Sequence, residues 1–184
     1  MSTAILLFLV FFAGVFLNAF FAGYETGFVA SNPIRVRHLA EKENLLSAQR
    51  LLAYIEAPDR MITVVLIGTN LALIAGTMAL TRQIGDHWAP FVATPMFLIF
   101  GEVVPKSMFR VHPTRSSLFF LPAIRFFDII MAPMVVPVAW LSKRLATLGG
   151  DDGGVRMFMR SQEDVRVLVD ESADQGAIEP EEQE

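Results

Sequence analysis

Cysteine is absent from the 184 residues, which excludes disulfides, thiol catalysis and cysteine-based zinc sites together. Charge is the second scarcity. Residues 4 to 30 carry one acid, Glu25, and no base, and residues 61 to 81 carry no Asp, Glu, Lys or Arg. At about 1.5 Å per residue, each stretch reaches across a hydrocarbon core of about 30 Å. The N-terminal MSTAILLF lacks the basic n-region of a signal peptide, and the apolar run behind it is too long for one, so it reads as a retained membrane helix. Against these absences stand 53% apolar residues, 16 Phe and a mean hydropathy of +0.47, outside soluble usage once the apolar residues cluster as they do here. The chain is expected to be an all-α integral membrane protein.

The net charge of −4 conceals two parts of opposite sign, because residues 1 to 150 hold 12 Lys/Arg and 8 Asp/Glu while residues 151 to 184 hold 3 and 11. That split fits a membrane domain followed by a soluble segment and makes nucleic acid an unsuitable partner. Residues 33 to 60 follow the first span with Arg35, Arg37, Lys42, Arg50 and Arg60. Leu39, Leu46, Leu51, Leu52 and Ile55 recur there at helical spacing, which predicts one or two amphipathic helices started by Pro33. By the positive-inside rule this connector is cytoplasmic and the N-terminus lies outside. A second span is expected from about Met61 to Leu80. A short outer turn with Trp88 as interfacial anchor follows, and a third span returns from about Ala89 to Lys106, ending near Arg110, His112 and Arg115.

The last apolar stretch, residues 116 to 148, holds Pro122, Pro133, Pro137, Arg125 and Asp128 and closes on Lys143 and Arg144. A fourth crossing would carry those closing bases outside. Two or three kinked amphipathic helices in the cytoplasmic interface, with Arg125 and Asp128 paired at i, i+3 on the wet face, fit the charge rule better. The expected fold is therefore three transmembrane helices with juxtamembrane amphipathic helices on the cytoplasmic side. Residues 1–148 form the membrane domain, 149–160 a linker and 161–184 an acidic helical segment with Ser161 and Asp164 as its cap and Val165, Leu168 and Val169 as its stripe. A further cytoplasmic domain is expected to follow.

Ionisable and small polar residues within the spans are where function is sought, because a charge at membrane depth costs roughly 2.5–3.5 kcal/mol on insertion scales. The hexapeptide GEVVPK, Gly101 to Lys106, closes the third span; Glu102 and Lys106 are its ionisable groups and Pro105 its helix breaker. The first span offers Asn18 and Glu25 on one face with Ala22, and the second offers Gly68, Thr69 and Asn70. Depth counting puts Asn70 near the midplane and Glu25 and Glu102 in the inner half. Carboxylate, amide and hydroxyl oxygens at similar depth suit a hard divalent cation such as Mg²⁺. Structural roles compete: Asn18 as an interhelical hydrogen-bonding residue, Gly23, Gly27 and Gly68 as packing residues, and Lys106 snorkelling to the interface. His38, His87 and His112 lie in connectors and read as solvated.

These residues resemble the membrane domain of the CorC/CNNM (cyclin M) family of magnesium transporters. Gly101 to Lys106 matches the family's Gly-Glu-(Ile/Val)-(Ile/Val)-Pro-Lys motif without a gap, Phe20 to Gly27 (FFAGYETG) is similar to its Phe-Phe-Ser-Ala-Ser-Glu-Thr-Ala pattern, and Gly68-Thr69-Asn70 to its Gly-Asn-Asn. The acidic tail resembles the helical segment that precedes paired CBS domains in the family. The resemblance implies Mg²⁺ export by a homodimer in the plasma membrane, the inner membrane of a bacterium, with the N-terminus outside and the C-terminus cytoplasmic. It also implies ATP binding only in CBS domains that this chain does not contain. Asn70 and Glu102 are the strongest carry-overs. Ala22 and Tyr24 stand where the family commonly has serines, so backbone oxygens near Ala22 and Gly23 would have to replace those hydroxyls.

The leading expectation is an Mg²⁺ site built from Asn70, Thr69, Glu102, Glu25 and the backbone of Ala22 and Gly23, with Gly101, Pro105 and Lys106 as its gating elements. The alternative is a membrane anchor and dimerisation scaffold for a cytoplasmic CBS-type module. An intramembrane enzyme using Glu25 and Glu102 as acid and base ranks last, for want of a nucleophile or a metal-binding histidine nearby.

Overall fold

The computed structural model describes residues 2–148, and all regular structure among them is helical. The linker and acidic segment expected at 149–184 lie outside the described residues. The apolar, proline-free run Ser2–Val29 forms α1. Asn32 then caps α2 (Pro33–Glu41), its side chain accepting from the backbone N–H groups of Ile34 and Arg35 while Pro33 occupies the first turn, where no N–H is needed. Asn44, with φ of 54°, turns the chain into α3 (Leu46–Glu56). The connector expected to hold one or two amphipathic helices thus holds two; Val36, Ala40, Ala48 and Leu51 are their buried residues.

A second long helix, α4 (Pro58–Ile84), ends at Gly85, whose φ of 83° is open to glycine at little cost. Trp88 is exposed in the turn that follows, as an interfacial anchor would be. The third apolar segment is not one regular helix: α5 (Ala89–Met96) passes into a π-helical stretch, Phe97–Val103, and then into α6 (Val104–Val111). Finally α7 spans Pro113–Leu148.

Four segments are long and apolar enough to cross a membrane by length and composition: Thr3–Val29, Pro58–Ile84, Ala89–Val111 and Pro113–Val138. Three were expected. The last segment is also one continuous helix, not two or three kinked pieces, although it contains Pro122, Pro133 and Pro137. Each proline removes one backbone hydrogen bond, but in apolar surroundings the remaining bonds have no water to compete with them and the helix persists. Chain contacts divide the molecule into two units, Met1–Trp140 and Leu141–Glu184; the described part of the second is the end of α7.

Within the first unit α1 is the hub, packed on α4 and on the π-helical stretch and α6. Small residues set the α1–α4 crossing. A Cβ on Gly14 would lie 2.8 Å from the Ala72 carbonyl oxygen and 3.0 Å from Gly76 Cα, so the two backbones meet directly. Farther along, Gly68 receives the ring of Phe21, and Gly76 receives that of Phe97. One apolar cluster, around Phe21, Tyr24, Leu51, Met61, Leu121 and Ile124, fills the end where α2 and α3 lie. A second, around Phe11, Val15, Leu80 and Phe97, fills the other.

Candidate functional site

The contacts just described register three helices against one another. Phe21 sits on Gly68, Gly14 on Ala72 and Gly76, and Gly76 on Phe97. Asn18 Nδ2 donates to the Gly101 carbonyl at 3.1 Å, and Pro105 lies beside Gly23. One layer of the bundle therefore holds residues 18–23 of α1, 68–72 of α4 and 101–105 of the third segment.

Within that layer, Gly101 and Glu102 lie on the π-helical stretch. Its widened register is visible in the Val104 N–H, which bonds the carbonyl of Ile99, five residues back. Pro105 has no N–H for the carbonyl of Gly101, and the amide of Asn18, only 3% exposed, supplies the missing donor. Gly101 must be a glycine for this approach, since a Cβ there would lie 2.8 Å from Asn18 Nδ2. Asn18 thus has the interhelical role weighed for it from sequence, with a backbone carbonyl as its partner.

Glu102 has a side chain 49% exposed, and its carboxylate is 4.0 Å from Lys106 Nζ one turn on, a loose i, i+4 pair. Lys106 is therefore near enough to partner Glu102 and still half-exposed. Glu25 is half-buried on α1 and makes no hydrogen bond or ion pair among the described residues. On α4 the two polar side chains turn back on their own helix: Asn70 Nδ2 donates to the Leu66 carbonyl at 2.7 Å, and Thr69 Oγ1 to those of Val65 and Leu66 at 3.0 and 3.1 Å. In the amide of Asn70 this leaves Oδ1, an exposed acceptor, uncommitted.

The positions where serines were noted as missing have structural occupants. Tyr24 is fully buried, its ring stacked on Phe28 at 6.4 Å, and its hydroxyl finds no hydrogen-bond partner among the described residues. The carbonyl of Ala22 accepts from Thr26 Oγ1 at 3.2 Å, and Gly23 lies under the ring of Phe109. Gly27 also packs on Phe109, and Gly68 on Phe21, so the packing reading of these glycines describes their places. His38, His87 and His112 are exposed, and no group of three or more His, Asp or Glu gathers as a metal site among the described residues.

A second polar cluster was not legible from sequence. Asp128, expected to face water and pair with Arg125, is 5% exposed; it accepts from Arg60 Nε at 2.8 Å and from the hydroxyl of Tyr54 at 2.9 Å. The correction follows from what surrounds it: α3 and the first turn of α4 bring a phenol and a guanidinium to the buried carboxylate that α7 carries. Burial and the bond to Asp128 push the Tyr54 phenol above its ordinary pKa. No local pattern pairs residues 68 positions apart.

Long apolar helices, the third interrupted mid-span by a π turn that carries a carboxylate, define a multi-pass membrane domain. Residues 8–182 match the family described as the Cyclin M transmembrane N-terminal domain, CNNM, and the chain belongs to that family. It is 34% identical over 170 residues to the UPF0053 inner membrane protein YfjD of Escherichia coli, covering 86% of this chain and 39% of that protein. It is 28% identical to the chloroplastic DUF21 domain-containing protein At1g55930 of Arabidopsis thaliana, over 91% of this chain and 26% of that one. A third relative, the polyamine export protein of Escherichia coli, is 27% identical over 76% of this chain and 35% of its own length. The chain spans well under half of each of these relatives.

Proposed function

We propose that this chain is the membrane domain of a cation transporter whose cargo is Mg²⁺, moved outward across a plasma membrane by a homodimer. One observation carries the reading: the third apolar segment loosens into a π-helical stretch at Gly101-Glu102 and places a half-exposed carboxylate there, inside a segment otherwise fit to face lipid. Such turns gather at functional sites, and an ionisable group at that depth costs enough to need a use. Glu102 supplies the site's negative charge, Asn70 Oδ1 and the hydroxyl of Thr69 its neutral oxygens, and Glu25 a second carboxylate on the facing helix. Lys106, 4.0 Å from Glu102, is the counter-charge that neutralises the carboxylate when no cation is present. Backbone oxygen from Ala22 or Gly23 joins this set only if Thr26 or Phe109 moves.

Three helical segments cross in this reading, and α7 lies along the cytoplasmic end. Supporting it, the hydroxyls of Ser31, just beyond α1, and Ser117 of α7 share a hydrogen bond at 3.2 Å, while Asp128 of the same helix meets Arg60 in the first turn of α4. These two contacts belong to the same end of the bundle, yet Ser117 and Asp128 are about 16 Å apart along a helix axis at 1.5 Å per residue. A helix standing along the bundle would carry one of them away from that end.

The name of one relative favours a second reading with a different cargo, a polyamine. An elongated polycation would also use Glu102 and Glu25, but its size would require an aqueous path past the Phe21 and Phe97 rings. Flux into proteoliposomes of the 184-residue chain, with Mg²⁺ and a polyamine offered separately, tests both. Mg²⁺ flux lost in Glu102→Ala supports the first reading, polyamine flux alone the second, and no flux of either the anchor-and-scaffold alternative.

A further inference from the structure

The geometry points to a seat for the phosphate headgroup of an anionic phospholipid at the junction of α1, α2, α6 and α7, gripped by Arg35, Arg110 and Arg115. Two bonds tie this junction. The backbone N–H of Asn32 donates to Thr114 Oγ1 at 3.2 Å, and the hydroxyls of Ser31 and Ser117 share a hydrogen bond at 3.2 Å. The tie gathers the first turn of α2, the last turn of α6 and the first turn of α7, and each contributes one arginine.

All three are exposed, and none of their guanidinium groups makes an ion pair or hydrogen bond among the described residues. Two other arginines at this end of the molecule are engaged, Arg37 with Glu56 at 3.9 Å and Arg60 with Asp128. Three arginines on the turns gathered at this tie, none paired with a carboxylate among the described residues, supply positive charge and donors suited to a phosphate.

The surroundings decide between a lipid and a free anion. Val111 is 71% exposed and Phe119 74% exposed, on the same two helices that bring Arg110 and Arg115. Ile34 and Met108 are exposed beside them. Large apolar side chains interleaved with cations fit the boundary between acyl chains and headgroups, where arginine stems stay in the apolar layer and their heads reach phosphate. A soluble phosphate would gain nothing from Phe119 or Val111, whereas a phospholipid covers them with its chains.

Native mass spectrometry of the whole chain, released from detergent after mixing with phosphatidylglycerol or phosphatidylcholine, tests the seat. Wild type is expected to retain phosphatidylglycerol in preference to phosphatidylcholine. Arg110→Gln should weaken that retention about fivefold, in line with the surface attraction of one arginine, and the triple variant Arg35→Gln, Arg110→Gln, Arg115→Gln should abolish the preference. Arg82→Gln, at the opposite end of α4, should leave it unchanged, and millimolar inorganic phosphate should not displace the lipid. Equal retention of the two lipids, undiminished preference in both arginine variants, an equal loss in Arg82→Gln, or displacement by inorganic phosphate would each overturn the proposal. The single variant, with helix content checked by circular dichroism, keeps the test valid if the triple one misfolds.

Discussion

Asn18 Nδ2 donates to the Gly101 carbonyl at 3.1 Å across the interface between the first and third apolar segments. The bond compensates for Pro105, which cannot donate to that carbonyl, and it holds the π-helical stretch against α1. Asn18→Leu keeps the bulk and removes the donor. The carbonyl is then buried without its partner, a loss of about 1–3 kcal/mol, and thermal unfolding in detergent should show a lower midpoint. Gly101→Ala should lower it too, because its Cβ would press on the amide. An unchanged midpoint in both would mean the bond carries no load.

The Arg60–Asp128 pair is asymmetric in burial, with side chains 50% and 7% exposed, and the asymmetry dictates the mutational response. Arg60→Ala strands a buried carboxylate with only Tyr54 as donor and should cost about 3 kcal/mol. Asp128→Asn leaves Arg60 free to turn to solvent and should cost about 1 kcal/mol. Chemical denaturation of the two variants in the same detergent checks the order; a larger cost for Asp128→Asn would reverse the argument.

The two tyrosines should respond oppositely to loss of the hydroxyl. Tyr24→Phe removes a buried hydroxyl that has no partner among the described residues and should be neutral or stabilising by up to about 1 kcal/mol. Tyr54→Phe removes a donor to Asp128 and should destabilise. Melting curves of both variants beside wild type decide this.

Tyr54 also gives a pH dependence with a definite sign. Its folded-state pKa is raised above the ordinary 10.0, first by burial and then by its bond to Asp128. The native state keeps a proton that the unfolded chain releases near pH 10, so the contribution is complete below that pH. It is lost as pH rises through the raised value. Stability should fall more steeply above pH 10 in wild type than in Tyr54→Phe, measured as denaturation midpoint against pH.

Much of this was legible in sequence, for reasons that name themselves. Residues 4–30, with Glu25 their one charged residue, and the uncharged residues 61–81 are long apolar runs, and length against bilayer thickness is a strong constraint. Pro33 marks a helix start because its local chemistry is sufficient. The tight α1–α4 crossing had a signal that went unused: Gly68, Ala72 and Gly76 repeat at every fourth position, the pattern of close helix approach in membranes. The π turn leaves no periodic trace beyond Gly101 within it and Pro105 just after it. Asp128 was assigned to Arg125 because only neighbours in sequence are visible there, whereas its partners arrive from α3 and α4. The continuity of α7 depends on apolar surroundings tolerating three prolines, and counting breakers does not capture that.

The orientation of α7 can be read directly because the chain has no native cysteine. With Lys143→Cys as the sole thiol, a membrane-impermeant maleimide should label from the cytoplasmic side if α7 lies along the bundle end. Labelling from the outside would establish a fourth crossing instead.

The central claim, that the Glu102 carboxylate on the π turn belongs to a Mg²⁺ pathway, is tested most directly by Mg²⁺ flux in proteoliposomes of wild type and Glu102→Gln, with an encapsulated Mg²⁺ indicator and unfolding midpoints recorded in parallel. Robust wild-type flux that falls by at least about tenfold in Glu102→Gln at an unchanged midpoint is the predicted result, one lost charge being worth more than 1.4 kcal/mol at such a site. Equal Mg²⁺ flux in the two proteins would contradict it.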